Sequence, residues 1–378
     1  MPTHAESNAC IACAKSKRKC GRQMPSCARC ADAGRSCVYP PSRSRAASSD
    51  FAAPSSLVQT HNASVTKSDW FLAPETWKIS RRWDISADVP VGIATMKAYV
   101  AVLQSWIERW VTTRSNPFIH PRLYSANFPA CVQVAYTTLS SYIHRTPANT
   151  DTVLQIIEDR SNDLLQENGA VLNMVGPEEW ADRGEQDVDL FAQLARLHAL
   201  VVYQIIGLFD GDIRSRHVAK GHMAIQNSWA GKLFHSAAKA LSNTHAVATH
   251  LVDCMPKLST YSQEKLYLWI LSESIRRSWL VAVSLSPVFT TLQQRWAVCP
   301  GGVMYTNRSG LWNATSATEW EKQCLGRNVA LLQRFECDRL LDDAEPADID
   351  EFGTAMLDMT FSRELLENWR DRSGAYTQ

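Results

Sequence analysis

From about residue 70 onward, apolar and polar positions follow one another with the period of an α-helix. In TMKAYVAVLQSWIERWVTT, the residues Met96, Tyr99, Val100, Leu103, Trp106, Ile107, Trp110 and Val111 fall on one stripe at i, i+3, i+4, i+7 spacing, the signature of a helix with one face turned to a core. Asn116, Pro117 and Pro121 then break the pattern. The same period predicts helices near 129–144, 150–167, 189–209, 213–242, 262–284, 316–341 and 346–370. Strand signals are scarce, and CPGGVMY at 299–305 reads as a turn with a short extension. The expectation for residues 70–378 is therefore a large all-α domain, its tryptophan stripes serving as core.

Upstream the pattern vanishes. Residues 41–69 are rich in Ser, Ala and Pro with little periodicity, which predicts a flexible linker. No apolar heptad run appears there or before residue 93, so no coiled coil is expected to follow the N-terminal segment. Dimerisation through the body and binding as a monomer both stay open.

Composition supports a sizeable core, with 45% hydrophobic residues and 13 tryptophans in 378 residues. The net charge of +1 conceals an asymmetry. Residues 1–45 hold nine Lys/Arg against Glu6 and Asp32, while the remainder is acidic. A basic head on an acidic body points to a polyanion as the partner of the head alone. The opening MPTHAESNAC has no apolar run, so no secretory signal is expected. The longest apolar stretch, Ala199–Phe209, is eleven residues where a membrane span needs about twenty. An intracellular protein with reduced thiols and no membrane partner is expected. The N-x-S/T sequons at Asn62, Asn307 and Asn313 then read as chance matches.

The head carries the chemistry. Cys10, Cys13, Cys20, Cys27, Cys30 and Cys37 follow the spacing C-x2-C-x6-C-x6-C-x2-C-x6-C, one unit of C-x2-C-x6-C given twice. A disulfide framework needs an oxidising compartment, and a redox C-x-x-C site leaves four thiols unexplained. Zinc uses all six: two tetrahedral ions need eight ligand positions, which six thiolates supply when two of them bridge.

This stretch resembles the binuclear zinc cluster DNA-binding domain of fungal transcription regulators. The resemblance implies that Cys10 and Cys27 bridge, that Cys13 and Cys20 complete one zinc site, and that Cys30 and Cys37 complete the other. Pro25 and Gly34 stand where the family has a loop proline and a turn glycine. It further implies two short helices, the first entering the DNA major groove. Lys17 matches the base-contacting lysine, which donates to guanine O6 and N7, and Lys19 the basic position before the third cysteine. Lys15, Arg18 and Arg22 complete the basic set expected on DNA, with CGG-like half-sites as target. Ala14 and Ser16 replace the commoner arginines, which reduces the expected phosphate contacts. CAKSKRKC is similar to a subgroup that regulates secondary-metabolite gene clusters.

No catalytic constellation stands out in the body. Cys131, Cys254, Cys299, Cys324 and Cys337 have no mutual metal spacing and read mostly as buried small hydrophobes. FDGDIRSRH (Phe209–His217) reads as a turn with helix caps, and CPGG lacks the Gly-Lys-Ser/Thr of a phosphate loop. The phrases SNPFIHPRLY, LFDGDIRSRH and CPGGVMYTNRSGLW are similar to the C-terminal regions of fungal zinc-cluster regulators, without implying a role for any residue. Phe335–Trp369 holds eleven acidic residues against Arg339 and Arg363. An activation segment and the acidic face of ordinary amphipathic helices compete there, and the single stripe of Ile349, Phe352 and Met356 favours the second.

The sequence thus predicts three parts: a zinc-stabilised binuclear cluster at 1–40, a linker at 41–69 and an all-α effector or regulatory domain at 70–378 with an acidic C-terminal segment. What the resemblance implies is a nuclear, DNA-binding regulator of RNA polymerase II transcription that contacts the transcription machinery, an activator rather than an enzyme. The competing reading is an enzyme or metabolite-binding protein with an accessory zinc module.

Overall fold

The computed structural model describes residues 13, 15–16, 19–20, 27–33, 35, 70–81, 92–168, 189–241, 260–326 and 328–375. The expected linker at 41–69 lies outside them. By its tertiary contacts the chain divides into two units, Met1–Ser64 and Val65–Gln378.

In the first unit, Cys13 and Lys15 have helical backbone, and α1 spans Ala28–Asp32. The second unit is helical: α2 (Ile93–Thr113), α3 (Ala130–Ile143), α4 (Thr150–Glu167), α5 (Leu190–Phe209), α6 (Ile213–Leu241), α7 (Tyr261–Gln294), α8 (Ala317–Gly326), α9 (Leu340–Asp343), α10 (Glu351–Asp358) and α11 (Arg363–Ala375). A two-stranded antiparallel sheet interrupts the series, β1 (Met304–Thr306) pairing across α8 with β2 (Leu331–Gln333) in the register Tyr305↔Leu332.

The first five long helices lie close to their expected positions because each carries a strong apolar stripe and a clear end. On α2 the residues Met96, Tyr99, Leu103, Trp106, Ile107 and Trp110 are buried. Asp189 caps α5 by accepting from Ala192 N at 2.9 Å, and Thr260 caps α7 through Gln263 N. Such caps satisfy amides that the helix itself cannot. The turn after α5 is built as its composition suggests: Gly211 takes φ 116°, and the Asp212 carboxylate accepts from Ser215 N at 2.7 Å.

Helix α5 is the central element, packed against α3, α4, α6 and α7. Its 20 residues are long and apolar enough to cross a membrane, an 18-residue window within them having a mean hydropathy of 1.4, yet 83% of that window is buried by protein. The apolar run looked shorter in sequence because Gln193, Arg196 and His198 divide it; His198 is buried and Arg196 reaches Asn168 Oδ1. Gly207 lets α6 approach, since a Cβ there would stand 2.7 Å from Ala219 Cβ.

Three expectations need correction. Helix α7 does not stop near 284 but runs on to Gln294 through Pro287. Proline removes one ladder hydrogen bond, and burial of Val288 and Phe289 carries the helix past it. The helix expected over 316–341 ends at Gly326; Ala330 takes φ 50°, and the next three residues pair with β1. Backbone pairing with a distant strand overrode the local period. The helix expected over 346–370 is likewise three pieces: a 3-10 turn at Pro346–Asp348, then α10 and α11. Asp350 starts α10 afresh as its N-cap, accepting from Gly353 N.

The acidic C-terminal segment is part of the core. Leu340, Leu341, Ile349, Phe352, Met356, Leu357 and Trp369 are all buried, so its carboxylates are mainly the outer face of packed helices. Asn307 is fully buried, donating to Tyr305 O and Ala330 O, which closes that sequon to modification in the folded protein. Of the isolated cysteines, Cys337 is buried, Cys131 and Cys324 are half-buried and Cys299 is exposed; Cys254 lies outside the described residues.

Candidate metal centre

Cys27 and Cys30 bracket the start of α1. Cys27 is its N-cap with extended backbone, and its carbonyl accepts from Cys30 N at 2.9 Å and Ala31 N at 3.0 Å. A C-x2-C spacing at a helix start brings both thiols to one side of the first turn. The chain then turns back, with Arg35 N donating to Cys30 O at 2.9 Å. On the other side, Ser16 Oγ donates to Cys13 O at 3.2 Å within the helical stretch of Cys13 and Lys15.

The thiols converge. The Sγ atoms of Cys13, Cys20 and Cys27 lie within 4.8 Å of one another, those of Cys13 and Cys27 at 3.8 Å. Cys30 is packed in the same cluster; Cys13, Cys27 and Cys30 are buried and Cys20 is half-buried. Among the described residues this is the one grouping of three or more His, Cys, Asp or Glu side chains at ligand distance. None of these cysteines is in a disulfide, which would bring two sulfurs to about 2.05 Å. Tetrahedral zinc with Zn–S bonds of about 2.3 Å sets its sulfurs about 3.8 Å apart. The Cys13–Cys27 separation has that value, so these residues fit zinc.

The thiol of Cys27 is pushed up to about 12. The Cys30 backbone amide favours the thiolate, but burial and the adjoining thiols of Cys30, Cys13 and Cys20 outweigh it. Crowded sulfurs resist ionisation unless a cation joins them, a charge that zinc would supply.

Lys15 and Lys19 are exposed beside this cluster. Lys17, Arg18 and Arg22, and the ligands Cys10 and Cys37, lie outside the described residues, as do Pro25 and Gly34.

Residues 8–46 match the family model of the fungal Zn(2)-Cys(6) binuclear cluster domain. The likeness to that zinc cluster is confined to these N-terminal residues. Along 262 residues it is also 25% identical to "Transcription factor gsfR2" of Penicillium aethiopicum. That alignment covers 68% of this chain and 57% of the Penicillium protein, so the chain spans little more than half of that relative. No solved structure matches the chain significantly.

The body has its own polar centre, which periodicity alone does not reveal. Glu273, Arg276 and Arg277, on the α7 segment SESIRRSW, are fully or almost fully buried. Arg277 Nε donates to Glu273 Oε1 at 2.9 Å and Nη2 to Asp350 Oδ2 at 2.6 Å. Its Nη1 donates to Pro117 O, and its guanidinium lies over the Trp312 ring at 4.3 Å. Glu273 Oε1 also accepts from Thr306 N and Oγ1. Arg276 donates to Phe71 O and Thr76 Oγ1 and lies over Trp77. Burial lowers Arg276 to about 10, while Asp350 and Glu273 together hold Arg277 above its ordinary value against burial. Two guanidiniums and two carboxylates balance, and they tie α7 to β1, to α10 and to SNPFIHPRLY. The sequence offered only the charges Glu273, Arg276 and Arg277 between the apolar runs LYLWIL and WLVAV.

Proposed function

We propose that this protein is a nuclear, sequence-specific DNA-binding regulator whose N-terminal cluster holds two zinc ions. Cys10 and Cys27 bridge them, with Cys13 and Cys20 on one ion and Cys30 and Cys37 on the other. The observation that carries this is the gathering of Cys13, Cys20 and Cys27 within 4.8 Å of one another, Cys13 and Cys27 at tetrahedral sulfur spacing, within a stretch rich in lysine and arginine. Zinc cross-links a segment too short to bury a core of its own.

On that scaffold Lys17 reads a G·C pair in the major groove, and Lys15, Arg18, Lys19 and Arg22 hold phosphates. The target is a CGG-like half-site. The organisation is a cluster at 1–40, a linker at 41–69 and a helical regulatory body at 70–378. The acidic excess of that body keeps it off DNA and leaves the head to bind. Activation of RNA polymerase II transcription through the transcription machinery, in a secondary-metabolite gene cluster, is the reading that CAKSKRKC and the likeness to a Penicillium transcription factor support.

Selection of bound sequences from random duplexes by the zinc-loaded full chain tests it. Enrichment of GC-containing triplets is expected; uniform recovery overturns the reading.

A further inference from the structure

A cavity of about 320 Å³ opens where the end of α2 meets the 115–128 segment and α3. It is lined by Trp110, Arg114, His120, Tyr124, Phe128 and Tyr136, and its volume is in the range of small-ligand sites. The aromatic rings form a continuous wall. Trp110 meets Tyr136 edge-on at 5.2 Å, Tyr136 meets Phe128 at 6.1 Å, and Phe128 meets Tyr124 at 6.1 Å. Trp110 is buried core, whereas Phe128 keeps 39% of its surface exposed.

The tyrosine hydroxyls and the Nδ1 atom of His120 in that wall are already engaged. The Tyr136 hydroxyl donates to Val111 O at 2.7 Å, the Tyr124 hydroxyl is 2.6 Å from His198 Nδ1, and His120 Nδ1 accepts from Arg122 N. A sugar or other polyol would find few open partners there. Flat apolar surface is what the rings offer, best matched by another ring at an edge or an offset face.

Arg114 supplies the charge. It is exposed, and among the described residues no carboxylate pairs with it. It caps α2 with φ 62°, its N–H donating to Trp110 O. That conformation costs an arginine more than a glycine. A cation beside Arg114 would be repelled, while a carboxylate would gain paired, charge-assisted hydrogen bonds.

We propose that this cavity binds a planar aromatic carboxylate, its rings against Trp110, Phe128 and Tyr136 and its anion on Arg114. The site belongs to the helical body and stands apart from the zinc-cluster reading, because binding is measured without DNA. The probe is 2-naphthoate, titrated calorimetrically into the zinc-loaded full chain, with neutral methyl 2-naphthoate as the comparison. One-to-one binding is expected, weakened about tenfold or more in Arg114→Gly by loss of a charged hydrogen-bond pair, and weakened several-fold in Phe128→Ala. Glycine suits the positive φ, so Arg114→Gly should melt no lower than the parent, which separates lost binding from lost fold. The ester should bind the parent chain more weakly than the acid. Three results each overturn the proposal: no binding of 2-naphthoate, equal affinity for acid and ester, or undiminished binding by Arg114→Gly, the outcome if Arg114 serves only as a helix-end counter-charge.

Discussion

The guanidinium of Arg277 donates to the Asp350 carboxylate at 2.6 Å, joining the middle of α7 to the N-cap of α10 across 73 residues of chain. Asp350 is spent twice, since its other oxygen accepts from Gly353 N at 2.7 Å. Breaking such a buried pair by removing one partner costs about 3–5 kcal/mol, because the remaining charge is stranded. Asp350→Ala should therefore lower the stability of the body by about that amount in urea unfolding. Asp343→Ala, at an exposed site of the same acidic segment, should change it by less than about 0.5 kcal/mol. Equal, small effects from both would return Phe335–Trp369 to the status of an unpacked acidic tail.

His198 and His120 give the body a pH dependence of definite sign. Both are buried and both are lowered to about 3, chiefly by loss of hydration. The unfolded chain protonates these histidines near their ordinary 6.5, so unfolding takes up protons between about 6.5 and 3 and stability falls as pH falls through that window. Each contributes a loss of about 2 kcal/mol between pH 6.5 and 5. The slope of stability against pH should be shallower in His198→Gln than in the parent, even if the variant is weaker at pH 7. Parallel slopes would show that His198 is charged in the fold.

Metal content separates the shared cluster from a single zinc knuckle. Native mass spectrometry should find two zinc ions per chain, and one ion per chain rules out bridging by Cys10 and Cys27. Chelation should abolish binding to DNA while far-ultraviolet circular dichroism stays nearly unchanged, since among the described residues helix lies almost wholly in the second unit. Collapse of the helical signal on chelation contradicts independent folding of the body.

Lys17 and Lys15 should fail differently. Lys17→Ala is expected to cost about 1–3 kcal/mol of discrimination at one G·C pair. Lys15, exposed beside the cluster, should act on phosphate: Lys15→Ala weakens all duplexes alike and reduces the salt slope by about 1. Binding to matched and mismatched duplexes over a salt series distinguishes them. Uniform weakening by Lys17→Ala would assign it to the backbone.

Long helices with dense apolar stripes, such as α2 and α4, were legible from residue pattern because their burial follows their own periodicity. The stretch after Gly326 was not. Leu331–Gln333 pairs with Met304–Thr306, a partner over twenty residues away that no local window contains. The centre at Glu273, Arg276 and Arg277 was hidden for a related reason. A charged triplet on a helix reads as a solvated face until Phe71, Pro117, Thr306 and Asp350 are brought around it. The aromatic cavity at Arg114 was hidden too, since Trp110 satisfies the core stripe whether or not its far edge borders a space.

The six-cysteine spacing, the basic run and the helical period were settled by the chain alone, because ligand spacing, charge and amphipathicity are properties of neighbours in sequence. Which thiols meet at 3.8 Å, where helix gives way to strand, and which charges survive burial were decided only by the tertiary structure. Those outcomes depend on partners that are distant along the chain, and their energies exist only once folding has removed water from between them.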